Sequence, residues 1–119
     1  GLWDEVKNRL SSSAYSLSIG QQQRLCLGRG LAVKPLIILA DEPTSALDPI
    51  SSNIIETKLK ELKKDHSVIL VTHILRQAKR LADNVVYMSY GKVIEQGSPE
   101  ELFNNPQTQQ LKDYIVNGN

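Results

Sequence analysis

Few features of this sequence are concentrated in one place. Its 14 basic and 13 acidic residues leave a formal net charge of +1, and the two signs are interspersed. No Lys/Arg block occurs, so the electrostatic footprint of a duplex-binding protein is missing and nucleic acid is not expected as a partner. A single cysteine among 119 residues excludes a disulfide framework and a cysteine-rich metal site, and fits a reducing compartment. The longest apolar run, residues 36–40, is far short of the roughly 20 residues a spanning helix requires. No charged-then-apolar targeting segment opens the chain either. Direct membrane insertion is therefore not expected, and a membrane connection would have to run through another protein. Internal repeats and low-complexity segments are also lacking.

What is present suits one compact domain, the length being too small for two. The chain starts with Gly1 and enters a helical pattern at once, Leu2, Val6 and Leu10 recurring at helical spacing, so it reads as part of something longer. After the serines at 11–13, residues 20–33 read as a second helix closed by Pro35. Cys26 sits in it between Leu25 and Leu27 and is expected to be a small buried thiol. The apolar run at 36–40 suits a strand covered on both faces. It stops at Asp41 and Glu42. Past Pro43 and the pair Asp48-Pro49, Ile54, Ile55, Leu59 and Leu62 line one side of a helix, with Glu56, Lys58, Lys60, Glu61 and Lys63 on the other. A second buried-type strand, 68–72, stops at His73.

Strand, helix and strand within so short a span make a parallel crossover unit. Open parallel sheets bind ligands beyond the C-terminal ends of their strands, which is where Asp41, Glu42 and His73 fall. Further along, a helix at 75–82 leads to two strand-like runs meeting at Gly91, then to a helix start at Ser98-Pro99-Glu100-Glu101 and a last helix at 108–116. His66, beside Asp65, reads as a solvated surface residue.

The strongest local signal is the apolar strand ending in two adjacent acids. Asp41, held rigidly at a strand end, can anchor Mg²⁺ through water, and Glu42 can polarise an attacking water. Both could equally be loop caps. Ser18, before the helix that contains Gly20 and Gln21, is either an ordinary N-cap or a phosphate-binding hydroxyl at a helix N-terminus, and the two roles are compatible. Asp48 has the same double reading as an N-cap and as a functional acid. His73 is either structural or a hydrogen-bond donor to a phosphate.

Asp41-Glu42-Pro43-Thr44-Ser45-Ala46-Leu47-Asp48-Pro49 closely resembles the Walker B and D-loop sequence of ABC-type ATPases. Upstream, Leu17-Ser18-Ile19-Gly20-Gln21 is similar to the Leu-Ser-Gly-Gly-Gln signature of that family, and downstream Thr72-His73 stands where it places a switch histidine. The resemblance implies an α/β fold: the C-terminal part of a P-loop (RecA-like) ABC ATPase domain with parallel strands, plus the end of its helical signature subdomain. It implies a division into residues 1–33, the helical end with the signature, and 34–119, the core with Walker B, D-loop and switch histidine. It further implies ATP and Mg²⁺ as cofactors, Asp41 on the metal, Glu42 and His73 as catalytic residues, and Ser18, Gly20, Gln21 and Asp48 as nucleotide-contacting residues. A second ATP-binding subunit in a head-to-tail dimer and transmembrane permease subunits are the implied partners, at the cytoplasmic face of a bacterial membrane. Residues 2–7, 21–26, 48–51 and the tail around Phe103 and Tyr114 resemble the ATPase subunits of bacterial phosphate importers.

Three departures stand out. Ile19 replaces the first signature glycine, which puts close approach of a phosphate in doubt. Gly28 and Gly30 stand in a helix, at a cost of up to about 1 kcal/mol each. No Gly-x-x-x-x-Gly-Lys-Ser/Thr loop occurs in these residues, Gly91-Lys92 being followed by Val93, so the chain alone is expected to be inactive as an ATPase. A parallel strand with an unpaired edge, a route to association with another chain, is also expected.

Overall fold

The computed structural model describes residues 2–117. In chain order these form α1 (Leu2–Val6), a 3-10 turn at Lys7–Arg9, a second at Ala14–Ser16, α2 (Ile19–Leu31), β1 (Ile37–Asp41), α3 (Pro49–Leu62), β2 (Ser67–Val71), α4 (Leu75–Leu81), β3 (Val85–Ser89), β4 (Lys92–Gly97), α5 (Pro99–Asn104) and α6 (Gln109–Asn117). They group into two compact units, Gly1–Ile69 and Leu70–Asn119.

In the first unit the helix starts are built by side chains. Ser18, with extended backbone, accepts from the Gln21 N–H while the Gln21 side chain accepts from the Ser18 N–H, so two of the orphan donors at the start of α2 are satisfied reciprocally. Asp48 does the same work for α3 by accepting from Ile50 and Ser51, and Pro49 at the first helical position supplies the φ a helix needs. β1 pairs with β2 in a two-stranded sheet. The Ser67 N–H donates to the Leu36 carbonyl at 3.0 Å, which joins the two strand entrances; with α3 as the crossover, β1 and β2 run parallel. His66 closes the same corner, its Nδ1 lying 2.6 Å from the Pro35 carbonyl oxygen.

Several expectations are corrected here. β1 and β2 are not covered on both faces: each alternates exposed and half-buried along its length, with Leu39 75% and Ile37 56% exposed. A short apolar run cannot distinguish a strand buried on both faces from one whose second face has no cover. Cys26 is exposed, because the groove it lines with Leu27 and Leu31, against β1 and α3, is open to solvent. Glu56, placed by sequence on the polar side of α3, is buried beside Ile55 and Leu59. His66 is half-buried and hydrogen-bonded, not a solvated residue.

The second unit centres on the antiparallel hairpin of β3 and β4, in register Val85↔Gly97, Val86↔Gln96, Tyr87↔Glu95, Met88↔Val93 and Ser89↔Lys92, with an irregularity between Tyr87 and Met88. Its two-residue loop has positive φ at both positions, +47° at Tyr90 and +74° at Gly91. That is the turn whose twist matches right-handed strands. Ser98 and Glu101 form a capping box at α5, again with proline at the first helical position. Leu81, Leu102 and Leu111 are buried. Gly97 is there for space: a Cβ would come 2.7 Å from Leu102 Cδ1. Glu95 of β4 accepts from the Gln107 N–H at 3.1 Å, from the Thr108 N–H at 2.6 Å and from the Thr108 hydroxyl, pinning the start of α6 to the hairpin. Tyr87 and Tyr114 stack with ring centroids 5.2 Å apart.

Candidate functional site

Asp41 is the last residue of β1, so its backbone is held by the sheet and its carboxylate leaves the strand at its C-terminal end. Glu42 follows with φ +41°, a left-handed conformation uncommon for a side-chain-bearing residue. The strain is sustained by the turn it opens: the Glu42 carbonyl accepts from both the Ser45 N–H and the Ser45 hydroxyl, each at 3.1 Å. The Leu47 N–H donates to the Thr44 carbonyl at 3.1 Å, and Thr44 itself is buried. Such strain is characteristic of positions where direction matters more than stability. Here it redirects the chain between two adjacent acids.

The turn ends at Asp48, whose Oδ1 accepts from the Ile50 and Ser51 amides at 3.0 Å each. Hydrogen bonds from the Ser51 side chain, then from its backbone, hold the Asp48 carboxyl below the usual carboxylate range. The first turn of α2 meets this same first turn of α3. Gly20 is buried, and a Cβ there would lie 3.0 Å from Ser51 Oγ and 3.3 Å from Ser51 Cβ. The structure thus brings the Ser18–Gly20–Gln21 turn and the Asp48 cap together, through a contact only a glycine permits without adjustment. Ile19 is not among the residues with positive φ and its side chain is exposed, so the first helical position asks nothing of it that a β-branched residue refuses.

Sequence reasoning missed a polar bridge behind this turn. Glu5 of α1 accepts from the two terminal Arg24 guanidinium nitrogens, at 2.6 and 3.0 Å, and from the Gln21 side-chain amide nitrogen at 2.9 Å. Arg24, then Gln21, lower the Glu5 carboxyl to a pKa of about 2. Periodicity gave no sign of it, because Glu5 is separated from its partners by two turns and a run of serines. Between α2, β1 and α3 a groove of about 330 Å³ is lined mainly by apolar groups, among them Leu27, Leu31, Ile38, Ala40 and Ile55, with Asp41 at its border.

His73 lies in the second unit, between β2 and α4. It is exposed, and its carbonyl accepts from the Tyr114 hydroxyl at 3.2 Å. The preceding Thr72 turns the chain with its hydroxyl oxygen, which accepts from the Ile74 N–H at 3.0 Å. Among the described residues no group of three or more His, Cys, Asp or Glu side chains could hold a metal ion. No helix among the described residues is long and apolar enough to cross a membrane.

Comparison with known proteins gives a consistent picture. A family model described as ABC transporter matches residues 1–45. The phosphate import ATP-binding protein PstB of Ehrlichia ruminantium (strain Gardel) is 48% identical over 116 residues, covering 98% of this chain and 46% of its own length. Phosphate import ATP-binding protein PstB 2 of Bacillus subtilis (strain 168) is 53% identical over 114 residues, covering 96% and 42%. The chain therefore spans less than half the length of these curated relatives. Among solved structures, the ADP conformation of MJ1267, an ATP-binding cassette of an ABC transporter, superposes with a TM-score of 0.78 at 22% identity over 97% of this chain and 47% of that one, which speaks for the fold alone. The dimeric post-hydrolysis state of the ATP-binding cassette MJ0796 bound to ADP and Pi gives 0.65 at 37% identity over 73% and 38%.

Proposed function

We propose that this chain, which carries part of an ABC transporter ATP-binding domain, belongs to the ATP-hydrolysing subunit of an importer, with inorganic phosphate as the cargo. The observation that carries the ATPase reading is the strand-end pair: Asp41 held by β1 and Glu42 turned by its left-handed backbone, in one compact unit with the capped turns at Ser18 and Asp48. The phosphate cargo is supported by the likeness to the two phosphate import proteins.

In this reading residues 1–33 belong to the helical signature part and 34–119 to the ATPase core. Mg²⁺ would be held through Asp41 and would neutralise charge on the nucleotide phosphates. Glu42 takes a proton from the attacking water, and His73 donates to the γ-phosphate or that water. Ser18, with the amides near Gly20, presents donors to a phosphate at the start of α2, where the helix dipole favours negative charge. Asp48 joins the site to a second ATP-binding subunit. That head-to-tail dimer would sit on transmembrane permease subunits at the cytoplasmic face of a bacterial membrane, peripheral to it.

Lacking a Gly-x-x-x-x-Gly-Lys-Ser/Thr loop in its 119 residues, the chain alone is inactive in this reading and gains activity only with a polypeptide that supplies that loop. That same lack favours a second reading, a non-catalytic dimerisation or regulatory piece. Mg·ATP binding and hydrolysis are measured for the chain alone and mixed with a separately expressed half carrying the loop. Activity in the mixture that falls on the order of 10²- to 10⁴-fold in Glu42→Gln supports the catalytic reading. Steady phosphate release by the chain alone, abolished by Glu42→Gln, overturns its predicted inactivity; no activity in either sample gives the non-catalytic reading the lead. Copurification with permease subunits separates a transport role from that of a non-transport ABC ATPase.

A further inference from the structure

We propose that Glu5 is a positioning residue for the signature turn, setting the Ser18 hydroxyl through the side chain of Gln21; its catalytic consequence rests on the ATPase reading above. A carboxylate can only accept hydrogen bonds. Glu5 Oε2, 2.9 Å from Gln21 Nε2, therefore selects the amide nitrogen and leaves Gln21 Oε1 to face the other way. There Oε1 accepts from the Ser18 N–H at 3.1 Å and from Arg9 Nη2 at 3.3 Å. The Ser18 backbone is a donor, so only this orientation of the amide closes the capping box. Arg24, paired with both Glu5 oxygens and donating its Nε to the Gly20 carbonyl at 3.2 Å, fixes the carboxylate in place.

The consequence falls on Ser18. Its Oγ accepts from the Gln21 N–H at 3.3 Å, which leaves the hydroxyl proton to be donated outward to a phosphate oxygen. Gln21 has its oxygen on Ser18 and Arg9 and one of its two amide protons on Glu5. In this proposal its role is that of a bridge. A neutral amide at position 5 could present either an oxygen or a nitrogen to Gln21 and would lose the charge that holds Arg24, so the selection would lapse while the side-chain shape is kept.

The test has two arms. Amide hydrogen exchange is followed by NMR on the full chain and its Glu5→Gln variant. The Ser18 and Gln21 amides are expected to exchange on the order of tenfold faster in the variant, the change that loss of a charge-assisted hydrogen bond would give, with the Leu102 and Asn105 amides of the second unit unchanged as an internal control of folding. Unchanged exchange at Ser18 and Gln21 overturns the positioning role. In the second arm, the chain mixed with a half carrying the phosphate loop is assayed for Mg·ATP hydrolysis. Glu5→Gln is expected to lower kcat on the order of tenfold with KM unchanged, and to add nothing to Ser18→Ala, since residues acting through one group are not additive. Faster exchange with an unaltered kcat overturns the catalytic consequence. No hydrolysis by the mixture with the native chain removes the ATPase reading and that consequence together, leaving the exchange arm to decide the geometry by itself.

Discussion

In the unit Leu70–Asn119, three leucines from three different helices are shut off from solvent, Leu111 being 2% exposed, and a hairpin with a two-residue loop holds them. In the unit Gly1–Ile69 the buried large apolar side chains, Ile55 and Leu59, both come from α3, while Ile37 and Leu39 face outward. Order in the first unit depends more on polar devices: the capping box at Ser18, the Asp48 cap, the Glu5 bridge and the His66–Pro35 corner. The candidate nucleotide residues other than His73 all lie there. A site assembled from hydrogen-bonded turns keeps its donors and acids at the surface, where a ligand can reach them. It does so at the expense of the apolar burial that stabilises the other unit.

The sharpest way to break this comparison is to truncate one leucine in each unit and measure urea unfolding. Leu111→Ala is expected to cost about 2–5 kcal/mol, the range for a buried leucine; Leu39→Ala, at an exposed position, is expected to stay within about 0.5 kcal/mol. Equal costs would mean that the face carrying Leu39 is covered in solution. Next in size is Gly97→Ala, where the Leu102 contact leaves no room, at about 1–3 kcal/mol of overpacking. Gly20→Ala should cost less, because Ser51, the side chain it meets, can turn away. Asp48→Ala is expected to cost about 1 kcal/mol through loss of the cap.

Smaller still, and opposite in sign, Gly28→Ala and Gly30→Ala should each stabilise by about 0.5–1 kcal/mol. Both are helical, nothing lies within 4 Å of a Cβ at either position, and alanine loses less backbone freedom on folding. Thermal unfolding of the double variant checks this.

Acid titration probes the polar devices of both units. Glu5 and Asp48 in the first, and Glu95 and Glu101 in the second, all have carboxyls held below their ordinary values by hydrogen bonds, from Arg24 and then Gln21, from Ser51, from Thr108 and from Ser98 respectively. A depressed carboxyl stabilises the fold fully above its unfolded pKa and loses that contribution as pH falls through the folded value. For Glu5 the window runs from 4.5 down to about 2. Carboxyl shifts followed by NMR should show Glu5 still ionised near pH 3; protonation in the ordinary range would mean the bridge is not formed.

Much of this was legible in the chain. Ser18, Asp48 and Ser98 announced their caps because capping depends on residues within three positions of one another, and the Tyr90–Gly91 turn was marked by a glycine between two strand-like runs. Asp41 and Glu42 stood out as acids ending an apolar run. What the chain hid were contacts between distant segments. Nothing near Gly20 in sequence indicates Ser51, nothing near Gly97 foretells how closely Leu102 packs, and Glu5 sits 16 residues from Gln21 and 19 from Arg24. The positive φ of Glu42 was equally hidden, since it is imposed by the closed turn and not by the residue.

The amino-acid sequence by itself determined the order and type of the elements and marked the residues proposed for phosphate and metal chemistry, because periodicity, caps and turns act over a few residues. Only the tertiary structure decided which apolar side chains are covered, that Gly20 lies against Ser51, and that Gln21 is held by Glu5. Those outcomes depend on which segments meet across the fold, and on faces that local sequence places without saying what, if anything, lies against them.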